Sequence, residues 1–238
     1  MNLMADSNSV PQSLRVAFDI GGTFTDVVIA GPNRQLFRYK ILTLADSVGA
    51  DVRTCVAQAV NDSGGAPVRA LVHGTTIAAN AVLERKGAKT GLITTAGFRD
   101  ELEIRRLARP GIYSVSWERN EPLIPRRLRL EVAERMTVDG NVDVELDEAA
   151  VTAAARRLAD AGIEALAISF LHSYVNDKHE QRARQLVEAV LTNVAICTSA
   201  EVLPEVREYE RTSTTALNAF LMPVVGRYMD ALESALAH

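Results

Sequence analysis

Short apolar runs broken by turn residues open the chain, and the spacing of apolar positions then lengthens. Val16-Ala17-Phe18 and Val27-Val28-Ile29 flank a glycine pair, which predicts strands over about 14–20 and 25–30 joined in a hairpin. Gly31-Pro32-Asn33 supplies a second turn before a third strand over about 35–43. Val52, Cys55, Val56 and Ala59 then fall on one helical face, with Asp46-Ser47 placed to cap the helix and Gly64-Gly65 to end it. An apolar strand over 68–72 leads through His73-Gly74-Thr75-Thr76 into a helix reaching about 86, where Gly87 suits a C-terminal cap. A strand over 90–94 and a short helix near 98–103 follow. Three antiparallel strands followed by β-α-β-α is the order of a ribonuclease-H-like α/β domain, with a mixed sheet and helices on both faces.

Beyond it, 104–130 reads as irregular, punctuated by Pro110, Pro122 and Pro125. A hairpin around Asp139-Gly140, a helix over 147–161, a strand over 165–170, a helix over 177–191 and a strand over 194–197 form a second α/β segment. A last helix starts near Pro204, with a break at Pro223. The expected division is a poorly ordered leader over 1–13, a phosphate-binding domain over 14–130, the second segment over 131–203, and the helical stretch 204–238.

At 238 residues and 47% hydrophobic content, the chain can bury the core of one large or two modest domains. Its net charge of −4 argues against a nucleic-acid partner, which calls for a basic face. No apolar run approaches the roughly 18 residues a membrane helix needs, and the first 13 residues lack the basic start and apolar centre of a secretory signal. No membrane partner and a cytoplasmic location are therefore expected. Cys55 and Cys197 form no CxxC pair or metal-ligand cluster and read as small core residues.

Asp19-Ile20-Gly21-Gly22-Thr23-Phe24-Thr25-Asp26 does more than turn the chain. Its glycines let backbone N–H groups approach an anion, Thr23 and Thr25 add hydroxyl donors, and Asp19 can hold a hydrated divalent cation beside that anion. The set suits ATP with Mg²⁺. It is neither a P-loop, since no Gly-Lys occurs, nor a dinucleotide fingerprint, since a strand follows. It resembles the first phosphate loop of the actin and hexokinase superfamily.

His73-Gly74-Thr75-Thr76-Ile77-Ala78-Ala79-Asn80 marks a strand-to-helix junction, where ligands collect in open α/β sheets; the Thr pair serves equally as a helix cap. Gly97-Phe98-Arg99-Asp100-Glu101-Leu102-Glu103-Ile104-Arg105-Arg106 follows another strand end and offers arginine forks, though a solvated amphipathic helix gives the same pattern. His172 ends a further strand. Arg207, Arg211, Thr214 and Asn218 share a helical face that periodicity assigns to solvent.

In order along the chain, these segments, together with Ser169-Phe170-Leu171-His172-Ser173-Tyr174, Glu201-Val202-Leu203-Pro204-Glu205 and Glu208-Tyr209-Glu210-Arg211-Thr212-Ser213-Thr214-Thr215, resemble the amino-terminal part of the hydantoinase A/5-oxoprolinase family. The resemblance runs from about 14 to 228. It implies an actin-like ATPase fold and ATP-dependent opening of cyclic amides such as hydantoins and 5-oxoproline, by phosphorylation of an amide or enol oxygen; related subunits take part in ketone carboxylation. By position, Asp19 matches the carboxylate that holds the Mg²⁺ water and, with His73, the catalytic pair. Gly21, Gly22, Thr23 and Thr25 match the phosphate loop, and Thr75, Thr76, Asn80 and Arg105 the substrate contacts. Arg105 departs from the family's Gly-Arg.

Family members continue into a second phosphate loop and an adenosine pocket, so the expected partner is a complementary carboxyl-terminal half or a second hydantoinase subunit. The helix carrying 209–218 would lead there, leaving Ala216, Leu217, Phe220, Leu221, Val224, Val225 and Tyr228 bare. A non-catalytic interaction module and a superfamily kinase are the other readings; repressor-kinase zinc sites and iron–sulfur activases are excluded by the two separate cysteines.

Overall fold

A computed structural model describes residues 13–43, 48–107 and 121–236. The proposed leader up to residue 12, the Asp46-Ser47 cap and Pro110 lie outside the described residues. In chain order the elements are β1 (Leu14–Ile20), β2 (Phe24–Ala30), β3 (Leu36–Leu42), α1 (Val48–Asp62), β4 (Val68–Thr75), α2 (Ile77–Leu83), β5 (Thr90–Thr95), α3 (Glu101–Ile104), β6 (Arg129–Val132), β7 (Arg135–Met136), β8 (Val142–Val144), α4 (Glu148–Asp160), β9 (Ala165–Ser169), α5 (Lys178–Glu188), β10 (Ala195–Thr198), α6 (Ser199–Val202) and α7 (Glu208–Leu236). They divide into two units, Met1–Glu84 with Val225–His238, and Arg85–Val224.

The first unit holds a sheet in the order β3-β2-β1-β4, antiparallel except for the parallel β1/β4 pair. This is the ribonuclease-H-like opening the strand order predicts. Leu14, Val16, Phe18, Ile20, Val27 and Ile29 point to one face and pack with Val52, Cys55 and Ala59 of α1 and Leu232 of α7. Burying a side chain of this size stabilises by about 1.5–3 kcal/mol, so the alternate residues of two strands suffice to hold α1. Arg15, Ala17 and Asp19 point to the other face and are exposed, which departs from helices on both faces. β4 is one of the two outer strands, and Val68, Leu71 and Val72 on it are exposed.

The second unit holds an all-parallel sheet in the order β10-β9-β5-β6, and the small antiparallel β7/β8 pair. Every residue of β5 and β9 is buried, the continuous apolar pattern of a sheet covered on both faces. On one face Gly91 lies against Leu158 of α4. On the other, Ser169 and Cys197 meet Thr212 and Thr215 of α7. Two-sided cover thus belongs to this sheet. Thr90–Thr95, which the order of elements groups with the opening strands, pairs here instead.

Several local expectations change. α2 stops at Leu83, and Gly87 is no left-handed cap: a Cβ there would sit 2.1 Å from the Phe220 ring, so glycine makes room for an aromatic. Within the stretch that reads as irregular, β6 forms by parallel pairing with β5, and Arg129, buried at its start, bonds Glu103 at 2.9 Å and the Ile124 carbonyl at 2.8 Å. α7 continues through Pro223. A proline removes one helical hydrogen bond but need not end a helix packed on both flanks, here through Ala219 and Phe220 before it and Leu232 after it. The apolar tail is not bare: Ala216 and Phe220 are buried, and Leu217, Leu221, Val224, Val225 and Tyr228 are half-buried. Nor is Arg211 on a solvated stripe. It is buried and donates to the Phe170 carbonyl at 2.6 Å. Among the described residues, no helix is long and apolar enough to cross a membrane.

Candidate functional site

Between β1 and β2 the chain closes a tight turn in which Gly21 N–H donates to the Phe24 carbonyl at 3.0 Å. A Cβ at position 21 would stand 2.9 Å from that carbonyl oxygen, so the turn excludes any side chain there. The Ile20 carbonyl, at the end of β1, accepts from Thr76 N–H at 3.3 Å and the Thr75 hydroxyl at 3.4 Å. Thr75 Oγ1 accepts in turn from Ile77 N–H, and Asn80 Nδ2 donates to Thr76 Oγ1, both at 3.2 Å. These bonds tie the end of β4 and the start of α2 to the glycine turn. Together they enclose a cavity of about 220 Å³ lined by Gly21, Gly22, Thr43, Thr75, Thr76 and Asn80, with Tyr228 of α7 also on its wall.

Asp19 lies one residue before the wall, exposed, opposite Asp26 on β2 and Gly74 on β4. Gly74 is what gives its carboxylate space, since a Cβ there would be 3.1 Å from Asp19 Oδ1. Asp26 is bridged to Lys40 at 3.1 Å. Among the described residues no group of three or more His, Cys, Asp or Glu could hold a metal. A lone carboxylate is nevertheless compatible with Mg²⁺, which keeps several waters and takes its remaining ligands from phosphates.

The pleat separates the other predicted residues. Thr25 is fully buried on the opposite face, its hydroxyl 3.0 Å from that of Thr43, while Thr43 N–H bonds the Thr23 carbonyl at 2.9 Å. Thr25 thus braces the turn from behind, and Thr23 stands exposed at its tip. His73 falls within β4, not after it, in register with Phe18, so its ring turns away from the Asp19 face. It lies edge-on to Phe18 at 4.8 Å and its Nε2 is hydrogen-bonded to the Tyr228 hydroxyl. Burial lowers its pKa, opposed by the Asp19 charge. Gly21, Gly22, Thr75, Thr76 and Asn80 therefore come together; Asp19 adjoins them; Thr25 and His73 support from the reverse side. Thr43 and Tyr228 join the wall with no local sequence signal, because each arrives from a distant element.

Arg105 belongs to the second unit. It lines a separate cavity of about 450 Å³ with Gly97, Phe98, Glu101, Arg207 and Tyr209, across which Arg106 pairs with Glu210. Arg105 and Arg207 hold left-handed backbone conformations, with φ of 56° and 83°.

Comparison with known proteins places the chain as a whole. Residues 15–191 match the model of the hydantoinase/oxoprolinase N-terminal region. The alpha subunit of caprolactamase from Pseudomonas jessenii is 37% identical over 231 residues, covering 94% of this chain and 33% of that protein. The gamma subunit of acetophenone carboxylase from Aromatoleum aromaticum is 34% identical, over 87% of this chain and 31% of that one. Among solved structures, the ATP-dependent caprolactamase of Pseudomonas jessenii superposes with a TM-score of 0.82 at 38% identity, over 93% of this chain and 34% of that one. Nucleotide-free acetone carboxylase gives 0.84 at 26% identity, over 94% and 34%. The chain spans about a third of the length of these relatives. With its mixed α/β architecture of the actin-like ATPase type, the chain belongs to the hydantoinase/oxoprolinase family, to whose N-terminal region it corresponds.

Proposed function

We propose that the chain supplies the first phosphate-binding half of an ATP-dependent enzyme that opens cyclic amides in the cytoplasm, together with a complementary region or subunit. One observation carries the reading: a glycine turn that admits no Cβ walls a cavity rimmed by Thr43, Thr75, Thr76 and Asn80, with Asp19 beside it. In this role the backbone N–H groups that follow Gly21 in the turn, whose own N–H is taken by Phe24, act with the threonine hydroxyls to hold polyphosphate oxygens. Asp19 orients a Mg²⁺-bound water, and the cation, when bound, neutralises charge on the phosphates. Thr75, Thr76 and Asn80, assigned to substrate by resemblance, suit the phosphate end better because they share a wall with the glycines. Transfer of the γ-phosphoryl group to an amide oxygen, with ADP leaving, would make the ring carbonyl electrophilic. His73 acts as a positioning residue through Tyr228.

Calorimetry with Mg-ATP tests the reading. The chain alone should bind weakly, with a Kd above about 10 μM, roughly −7 kcal/mol, and without sustained hydrolysis. Asp19→Ala should abolish the heat while leaving the fold intact. Unchanged binding in that variant would sink the site. Ketone carboxylase chemistry is the second reading, favoured by the likeness to acetone carboxylase. There the phosphoryl acceptor is an enol oxygen and the phosphate site is the same.

A further inference from the structure

We propose that the cavity of the second unit seats the ring amide itself, with the Glu101 carboxyl group paired to the cis N–H and C=O edge of the ring. The inference rests on the cyclic-amide reading above. At about 450 Å³ the space is of the size that takes small molecules. Phe98 and Tyr209 offer apolar surface, and Arg105 and Arg207 stand on its wall in left-handed conformations, which persist only where surrounding structure enforces them.

Glu101 sits on the single turn of α3 directly after β5. Its Oε2 accepts from the Thr212 hydroxyl at 3.2 Å, and that hydroxyl lies 2.8 Å from Ser169 Oγ, both groups being buried. One carboxyl oxygen is thereby held by the Thr212 hydroxyl, which Ser169 braces from behind. Its pKa is pushed up to about 7, chiefly by burial, with Glu208 and Glu210 of α7 adding to the rise and the Thr212 bond and Arg211 opposing it. Two of the positive groups nearby have other engagements: Arg211 donates to the Phe170 carbonyl, and Arg106 pairs with Glu210. Near neutrality a large share of Glu101 is therefore an uncharged acid, one O–H donor beside one C=O acceptor.

A lactam, hydantoin or 5-oxoproline ring presents the complementary edge, because ring closure holds its amide cis. Open-chain amides are trans and offer N–H and C=O on opposite sides. The pairing forms two hydrogen bonds at once and leaves no buried charge. Arg105 and Arg207 then face ring substituents and would favour an anionic one.

Titration of the whole chain with δ-valerolactam, followed by backbone amide NMR, tests the proposal. Shifts should centre on Gly97, Glu101, Tyr209 and Thr212. Apparent affinity should fall at least about tenfold from pH 6 to pH 8.5 as the acid ionises. Glu101→Gln should keep binding and lose the pH dependence, because a primary amide presents the same edge; Glu101→Leu should lose binding. N-Methylacetamide should bind nowhere in the cavity. Equal binding of the two amides, retained binding in Glu101→Leu, or no shift with δ-valerolactam would overturn the proposal. Mg-ATP titrated in parallel separates the two ideas. Asp19-dependent nucleotide binding without lactam binding sinks only this inference. Lactam binding at Glu101 without nucleotide binding sinks only the phosphate site.

Discussion

β1 and β5 are both inner strands and both lead into a glycine that lines a cavity, yet they treat their polar residues in opposite ways. Every second residue of β1 is exposed, whereas all six of β5 are buried. The first unit therefore keeps its chemistry on an open face and anchors it by the apolar residues behind. The second has no open face on its inner strands and has taken polar groups inside, where carboxylates gather several partners. Glu180 accepts from Phe170 N–H at 2.8 Å, Ser199 Oγ at 2.6 Å and Ala200 N–H at 2.9 Å. Glu134 bonds Thr95 and, at 2.9 Å, His179. The cavity opening onto this interior thereby takes in a carboxyl group whose pKa burial pushes up to about 7.

The sharpest break of this contrast is Glu180→Ala. It strands two backbone N–H groups and a serine inside the second unit and should cost about 3–5 kcal/mol there. Hydrogen exchange should show the loss in β9, β10 and α5 and little change in β1–β3. A loss below about 1 kcal/mol would mean the buried network is not what holds the unit.

Next comes Glu101. Its folded pKa of about 7 lies above the ordinary carboxylate value of 4.5, so the uncharged form is favoured by folding. That contribution is fully present below about pH 4.5 and is lost as pH rises through about 7. Glu101→Gln should thus match the parent near pH 4.5 and exceed it at pH 8.5 by on the order of 2 kcal/mol, measured by urea unfolding. A constant difference across pH would mean that partial burial does not hold Glu101 uncharged.

The smallest effect belongs to the first unit. His73 has its pKa lowered, chiefly by burial, so its contribution is present above about 6.5 and is lost as pH falls through the folded value. Tyr228→Phe should cost about 1 kcal/mol at neutral pH, the worth of one hydrogen bond. Exchange protection of the last turns of α7 should fall first on acidification. A pH-independent end of α7 would show that the His73–Tyr228 contact carries no weight.

The glycine turn, the opening strand order and the helix α4 were legible because each is written in neighbouring residues. What was not legible is set by long-range pairing. Nothing near His73 indicates that β4 extends past it, and that extension turns the ring from the Asp19 face to the Phe18 face. Arg211 reads as one more charge on a helix until Phe170 arrives 41 positions away to accept from it. Gly87 looks like a helix stop, and only the folded chain reveals an aromatic ring where its side chain would be. Glu101 sits in a charged stretch whose bland reading is solvent; its burial depends on Thr212, 111 positions on.

β4 has further consequences for how the molecule behaves in quantity. Its inner side is zipped to β1, while among the described strands nothing pairs with its outer side, and Val72 on it is 62% exposed. An extended backbone with unspent donors and acceptors and few charges is a template for any other stretched chain it meets, including a partly unfolded copy. Warming a concentrated solution should nucleate fibrous aggregates on this rim, whatever the net charge. A lysine at position 72 would act as a gatekeeper, raising the concentration at which turbidity sets in without touching either cavity.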